Sequence, residues 1–334
     1  MLIFFGSVPW DMDIRPQDFS VSCVVPIHNE AANIPAFIPA LHATLAGLSP
    51  RVEIIVINDG SEDDSAALLQ ELAPAYALCV VDFSRNFGKE AALTAGIDLA
   101  RGDVVVLIDA DFQHPLEILP VMVGKWREGF DMVYGLRNGR NGDSWLRRRG
   151  TAFFYYLLNR GSTVDIPMNA GDFRLMDRCV VEALKALPER TRFMKGLYAW
   201  VGFRSVAVPF HVRERNGGHS SFSLPLLTRL ALTGLVSFSD LPLRIWSMLG
   251  FVIALGALLH GLWLLEEVWL DGVKVPGWAT LAVSLMFFSG VQLISVGILG
   301  EYLARVFSEV KRRPNYIIAR RRDLSPLSAP EDQG

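Results

Sequence analysis

The 334-residue chain holds three cysteines, Cys23, Cys79 and Cys179, too few and too widely spaced for a disulfide framework or a thiolate zinc site. They read as reduced side chains in apolar surroundings, which suits a cytosolic setting. An excess of positive charge is also missing: 32 Lys and Arg stand against 35 Asp and Glu, a formal net charge of -3. That balance excludes the basic face that nucleic-acid binding needs. No G-x-G-x-x-G follows an apolar run, and the Gly88-Lys89 pair has Phe83 where a P-loop needs its first glycine and Glu90 where it needs Ser or Thr. Dinucleotide-binding and P-loop chemistries are thereby set aside. Met1 to Trp10 contains a short apolar run without a preceding basic region or a cleavage pattern, so no secretory signal is expected and the mature chain is expected to begin there.

What the chain does have is apolar length. Hydrophobic residues make up 51% and charged residues 20%, with a mean hydropathy of +0.30, a mixture that suggests a soluble part joined to a membrane part. Residues 245–265 carry His260 as their only ionisable side chain, and 278–299 carry only Gln292 as a large polar group. At about 1.5 Å per residue each stretch matches the roughly 30 Å hydrocarbon core. Trp246, Trp263, Trp269 and Trp278 sit near the segment ends, as interfacial aromatics do. The loop between the segments holds Glu266, Glu267, Asp271 and Lys274, whereas Arg229 and Arg244 precede them and Arg305, Lys311 to Arg313 and Arg320 to Arg322 follow. The positive-inside rule puts both outer flanks in the cytoplasm. The expected organisation is a cytoplasmic domain over 1–221, an interfacial helical region over 222–240, a transmembrane hairpin over 241–304 and a basic, loosely ordered tail over 305–334. Such a hairpin implies an inner-membrane, multi-pass protein that packs as a homo-oligomer.

The soluble part alternates. Ser20 to Pro26, Val52 to Asn58, Ala77 to Phe83, Val104 to Asp109 and Asp131 to Gly135 are short, β-branched runs separated by helical patterns, the signature of a mostly parallel α/β sheet. Ligands of such sheets bind beyond the carboxyl ends of the strands. Polar clusters stand at four of those ends: His28-Asn29-Glu30, Asn58-Asp59-Gly60-Ser61, Ser84-Arg85-Asn86 and Asp109-Ala110-Asp111-Phe112-Gln113-His114. Singly, each is an ordinary strand-to-helix turn. Within the last, Asp109 and Asp111 are two carboxylates two residues apart that can converge on a hard cation, Mg²⁺ or Mn²⁺, which takes one or two carboxylates and completes its shell with phosphate oxygens. A nucleotide diphosphate leaving group needs such a metal.

Taken in order, VVPIHNE, INDGSEDDS, SRNFGKEAALTAGIDLARGD and LIDADFQHPLE resemble family 2 glycosyltransferases of the GT-A fold. The combination of DADFQHPLE, YGLR, AGDFRLMDR, RFMKGLYAW and SFSDLPLR is similar to the branch that acts on polyprenyl phosphates, such as dolichyl-phosphate mannose synthases and bacterial undecaprenyl-phosphate glucosyltransferases. The resemblance runs from about Ser20 to Arg305. It implies a nucleotide-sugar donor held by Pro26, His28, Glu30, Asp59, Asp109 and Ala110, and a metal held by Asp109, Asp111 and Gln113. It further implies phosphate contacts from Arg137, Arg147 to Arg149, Arg213 and Arg215, with Asp172, Arg174 and Asp111 at the reaction centre. An undecaprenyl phosphate acceptor and UDP-glucose lead among the substrates it implies, ahead of GDP-mannose, UDP-GlcNAc and UDP-aminoarabinose.

Two positions depart from the family pattern. His28 stands where a Tyr is common, and Ser220-Ser221-Phe222 stands where Ser-Lys-Tyr is common, which removes a basic group expected near the acceptor. Rival readings have weaker support. A processive polysaccharide synthase would show a Q-x-x-R-W motif and more membrane helices, and a nonenzymatic nucleotide-sugar sensor would be expected to lose the carboxylates that Asp109 and Asp111 retain.

Overall fold

The computed structural model describes residues 15–137, 170–211 apart from 191, scattered positions between 246 and 270, and 277–328. The chain divides into two compact units: Met1–Tyr155, Val164–Ser223 and Pro314–Gly334 form one, and Tyr156–Thr163 with Leu224–Arg313 the other. The expected interfacial helix over 222–240 lies outside the described residues.

The first unit is built on an eight-stranded sheet. Its strands are β1 (Ser20–Ile27), β2 (Arg51–Asn58), β3 (Leu78–Phe83), β4 (Val104–Leu107), β5 (Met132–Arg137), β6 (Ala170–Asp177), β7 (Ser205–Phe210) and β8 (Ile318–Asp323), in the spatial order β7-β5-β6-β4-β1-β2-β3-β8. Strands β4, β1, β2 and β3 run parallel, β7 runs parallel to β5, and β6 and β8 pair antiparallel to their neighbours. The parallel centre is covered on both faces by helices, which is why Cys23, Val24, Val25, Ile55, Val56 and Ile57 are buried in unbroken succession rather than alternating.

Helices α1 (Ile34–Ala46), α2 (Ser65–Tyr76), α3 (Lys89–Leu99) and α4 (Leu119–Arg127) fill the crossovers, and α5 (Arg178–Ala186) and α6 (Met194–Trp200) follow β6. The core packs Phe19 against Trp126, with ring centroids 4.9 Å apart, and the Trp126 indole donates to Asp177 at 2.8 Å. From β1 the chain steps to β2 and β3 on one side, then returns to β4 on the other. The split between β1 and β4 is therefore a topological switch point, where α/β sheets open a crevice for ligands.

The tail corrects an expectation. Residues 318–323 are a strand rather than loosely ordered chain, paired with β3 from Cys79↔Asp323 to Phe83↔Ile318. The apolar pattern that announces a strand is missing because β8 lies at the sheet edge and exposes Ile318 to Arg322. Charge fixes it instead: Arg101 donates to Glu53 at 3.1 Å and to Asp323 at 2.9 Å, and the side chains of both acids are wholly buried. Tyr316 adds a stacked contact with Phe83 at 5.1 Å and a hydrogen bond to Asp98 at 3.1 Å.

In the second unit the described positions between 246 and 270 are helical, and α7 (Trp278–Lys311) is a 34-residue helix that continues past the Leu299 end expected from hydropathy. Among the described residues one helix is long and apolar enough to cross a membrane, from Val283 to Lys311 with a mean hydropathy of 1.9. Leu281, Met286, Leu293 and Leu299 are exposed along it.

Candidate active site

The carboxyl end of β4 delivers Asp109. Beyond it the chain turns through Phe112 at φ 57°, a left-handed conformation that an aromatic residue rarely adopts. The Phe112 ring packs edge-on to Phe37 at 5.2 Å, and Asp111 accepts the backbone N–H of Gln113 at 3.1 Å. The strained turn is thus held by packing on one side and an aspartate turn on the other. Ala110, between the two acids, buries its methyl in the core, so its backbone alone is available for a donor.

Lys89, the first residue of α3, lies across these acids. Its ammonium is 2.7 Å from Asp109 and 3.2 Å from Asp172 on β6. Burial would raise the Asp172 carboxyl, but Lys89, Lys195 and Arg174 outweigh it and hold Asp172 below the ordinary carboxylate range. Glu90, next along α3, goes the other way: burial first and then the Asp172 charge push it up to about 7, against the Met194 amide and the two lysines. The neighbouring acids are therefore separated in acidity by their surroundings.

Among the described residues the short ion pair of Asp172 is made with Lys89, while Arg174 acts on it through charge alone. Its guanidinium lies 3.4 Å from the centre of the Tyr198 ring, donates to the Gly171 carbonyl at 2.7 Å, and meets Met132 Sδ at 3.2 Å. Lys89 takes the place beside Asp172. Asp172 Oδ1, Arg174 Nε, Tyr198 Oη and both ring nitrogens of His114 are buried without hydrogen-bond partners among the described residues, and such orphaned groups are retained at a cost of about 1–3 kcal/mol each. His114 packs against Phe173 at 4.8 Å and Phe210 at 5.5 Å, and burial holds its pKa below the usual histidine value.

The β1 and β2 ends meet beside this cluster. His28 Nδ1 donates to the Asp59 carbonyl at 2.9 Å, which leaves Nε2 to accept from Asn86 at 3.1 Å. The Asp59 carboxylate accepts the backbone N–H groups of Phe87 at 2.7 Å and Gly88 at 2.9 Å, so it shapes the loop that launches Lys89. Gly60, at φ 61°, passes so close to Arg85 that a Cβ would lie 2.4 Å from a backbone carbon. Glu30 accepts from Asn33 at 2.6 Å. Pro26 lies within β1, partly exposed, and Arg137 ends β5, likewise partly exposed. Arg147, Arg213 and Arg215 lie outside the described residues, as do Arg148 and Arg149.

The residue types suit a hard cation. Among the described residues no three His, Cys, Asp or Glu side chains gather as a metal cage. Asp109 and Asp111 offer an oxygen pair of the kind that Mg²⁺ or Mn²⁺ shares with substrate phosphates. Lys89, Glu90 and Tyr198 are the members of this cluster that motif reading missed. A Gly-Lys step opening a helix at the same sheet end as the paired aspartates was the available signal, passed over as a failed P-loop.

Comparison with known proteins shows the family. The model of glycosyl transferase family 2 matches residues 22–185. An uncharacterised glycosyltransferase from Synechocystis is 46% identical over 303 residues, 90% of this chain and 94% of that one. A prophage-derived bactoprenol glucosyl transferase from Shigella flexneri is 45% identical over 89% of this chain and 97% of its own length, and the prophage homologue in Escherichia coli is 44% identical over 90% and 98%. Glucosyl-3-phosphoglycerate synthase from Mycobacterium tuberculosis is a looser likeness, with a TM-score of 0.46, 24% identity and coverage of 65% of this chain and 76% of that one. Nine-tenths coverage at such identities leaves one assignment: the chain belongs to glycosyl transferase family 2.

Proposed function

We propose that the protein transfers a sugar from a nucleotide-sugar, with UDP-glucose the leading donor, to undecaprenyl phosphate on the cytoplasmic side of the inner membrane. The observation that carries this reading is the 45% identity to a bactoprenol glucosyl transferase over 89% of the chain. GDP-mannose, UDP-GlcNAc and UDP-aminoarabinose are the alternative donors. The apolar helix ending at Lys311 supports membrane attachment, and the two apolar stretches of the sequence support a hairpin that brings copies of the chain together.

Asp109 and Asp111, with Gln113 beside them, would hold Mg²⁺ or Mn²⁺, which when bound supplies positive charge to the departing diphosphate. The adjoining loops after β1, with His28 and Glu30, and after β2, with Asp59, would receive the base and ribose. An acceptor phosphate is already anionic near neutral pH, so it needs charge neutralisation and alignment more than deprotonation. In a single in-line displacement one acceptor oxygen bonds to the anomeric carbon as the bond to the diphosphate breaks, and the configuration inverts. Nucleoside diphosphate leaves with the bonding pair. Lys89, beside Asp109, would face the charge that builds on that leaving group. Asp172, kept ionised by its lysine neighbours, is a poor base near neutral pH and is suited to orient the sugar and face the positive charge developing at the anomeric carbon. Arg137, Arg147, Arg213 and Arg215 would neutralise the acceptor phosphate.

The reading is tested by offering undecaprenyl phosphate and undecaprenol in parallel, with each radiolabelled donor in turn. Organic-extractable label with the phosphate alone supports it. Label on undecaprenol, or on neither lipid with any donor, counts against it.

A further inference from the structure

Helix α6 lacks a cap of its own. Its N-cap residue is Phe193, whose side chain has no acceptor for the exposed amides of the first turn. The acceptor comes from a residue 104 positions earlier: Glu90 Oε2 receives the Met194 N–H at 3.1 Å. Seven residues are too few for a helix to hold together on local terms, so α6 depends on such outside contacts.

What α6 carries lies at the reaction centre. Tyr198 supplies the ring under the Arg174 guanidinium, and the charge of Lys195 acts on both Asp172 and Glu90. Glu90 itself follows Lys89, which contacts Asp109 and Asp172. A carboxylate buried beside another carboxylate is unfavourable on its own account. Among the described residues its side-chain hydrogen bond to another helix is the cap on α6.

We propose that Glu90 is a positioning residue: by capping α6 from the start of α3, it ties the segment carrying Tyr198 and Lys195 to the segment carrying Lys89, and so keeps the sugar-facing and diphosphate-facing sides of the site in register. Glu90 touches no reactant in this account. It acts through α6, and the inference rests on the transfer reaction proposed above only for its kinetic readout.

The test compares Glu90→Ala, which removes the acceptor, with Glu90→Gln, which keeps an acceptor oxygen and removes the charge. Amide hydrogen exchange on the full-length protein in detergent is the first readout. In Glu90→Ala the Met194 to Tyr198 amides should exchange at least about 10-fold faster, a change of about 1.4 kcal/mol, with β1 and β2 unchanged, and in Glu90→Gln protection should persist. The second readout is steady-state transfer from UDP-glucose. Glu90→Ala should lower kcat about 10-fold with the donor KM within twofold of wild type, and Glu90→Gln should restore kcat. Unchanged protection of α6 in Glu90→Ala, or two variants that behave alike, would overturn the proposal. Should Glu90→Ala fail to fold, Glu90→Gln still decides, since loss of α6 protection there contradicts a cap made by the acceptor oxygen. Exchange needs no substrate, so a wild type that transfers no sugar sinks the reaction while the exchange comparison still judges Glu90.

Discussion

Lys89 Nζ lies 2.7 Å from Asp109, which joins the first turn of α3 to the first of the paired aspartates after β4. The contact places a fixed positive charge beside the carboxylates proposed to hold the metal. Replacing Lys89 by Met, which keeps the length and removes the charge, should lower kcat/KM for sugar transfer about 10²-fold, the scale on which a single preorganised charge-stabilising group acts. Steady-state kinetics check it; a value within twofold of wild type would remove Lys89 from the chemistry.

Glu90 gives the fold a pH dependence. Its carboxyl is pushed up to about 7 by burial and by Asp172, against Met194, Lys89 and Lys195. A carboxyl raised on folding leaves the native state holding more protons than the unfolded chain between the ordinary glutamate value and the raised one. Stability then falls as pH rises through that window, with a limiting slope of about 1.4 kcal/mol per pH unit from this group. Denaturant unfolding of wild type against Glu90→Gln between pH 4.5 and 7 should show the glutamine variant gaining relative to wild type as pH rises. Parallel curves would contradict the assignment.

Strand β8 should matter to stability out of proportion to its apolar content. Asp323 is buried and receives both Arg101 and Arg321, at 2.9 and 2.8 Å. Breaking such a network from one side strands the opposing charges, so Asp323→Ala should cost about 3 kcal/mol in denaturant unfolding. Arg320→Ala, on the exposed stretch of the same strand, should cost under about 0.5 kcal/mol. Equal effects would mean that the pairing, rather than the charge network, holds the strand.

Tyr198 offers a third kind of contrast. Tyr198→Phe keeps a ring beneath Arg174, whereas Tyr198→Leu removes the cation–π contact, worth about 2 kcal/mol in a desolvated setting. Thermal unfolding should separate the two, with leucine the less stable. Identical midpoints would show that the stacking contributes nothing measurable.

The sequence was most legible where one force acted alone. Strands β1 to β5 announced themselves because buried parallel strands need unbroken β-branched runs, and the paired aspartates stood where switch-point chemistry puts them. Strand β6 was harder to see: Asp172 and Arg174 interrupt its apolar run, so the segment read as a motif and not as a strand. Strand β8, IARRRD, resembled a basic tail because an edge strand buries little, and the buried acids that recruit it, Glu53 and Asp323, are 270 residues apart in sequence. Lys89 and Tyr198 escaped for the same reason. Their roles come from contacts across α3, β6 and α6, which local pattern does not encode.

The central claim is metal-assisted transfer of one sugar to a polyprenyl phosphate at the Asp109/Asp111 pair. Its most direct measurement is transfer of radiolabel from UDP-glucose to undecaprenyl phosphate in detergent, with wild type, Asp111→Ala, and wild type in EDTA run side by side. The account predicts organic-extractable label from wild type alone, returning when Mg²⁺ or Mn²⁺ is added in excess of the chelator. Undiminished label from Asp111→Ala or in EDTA would contradict it.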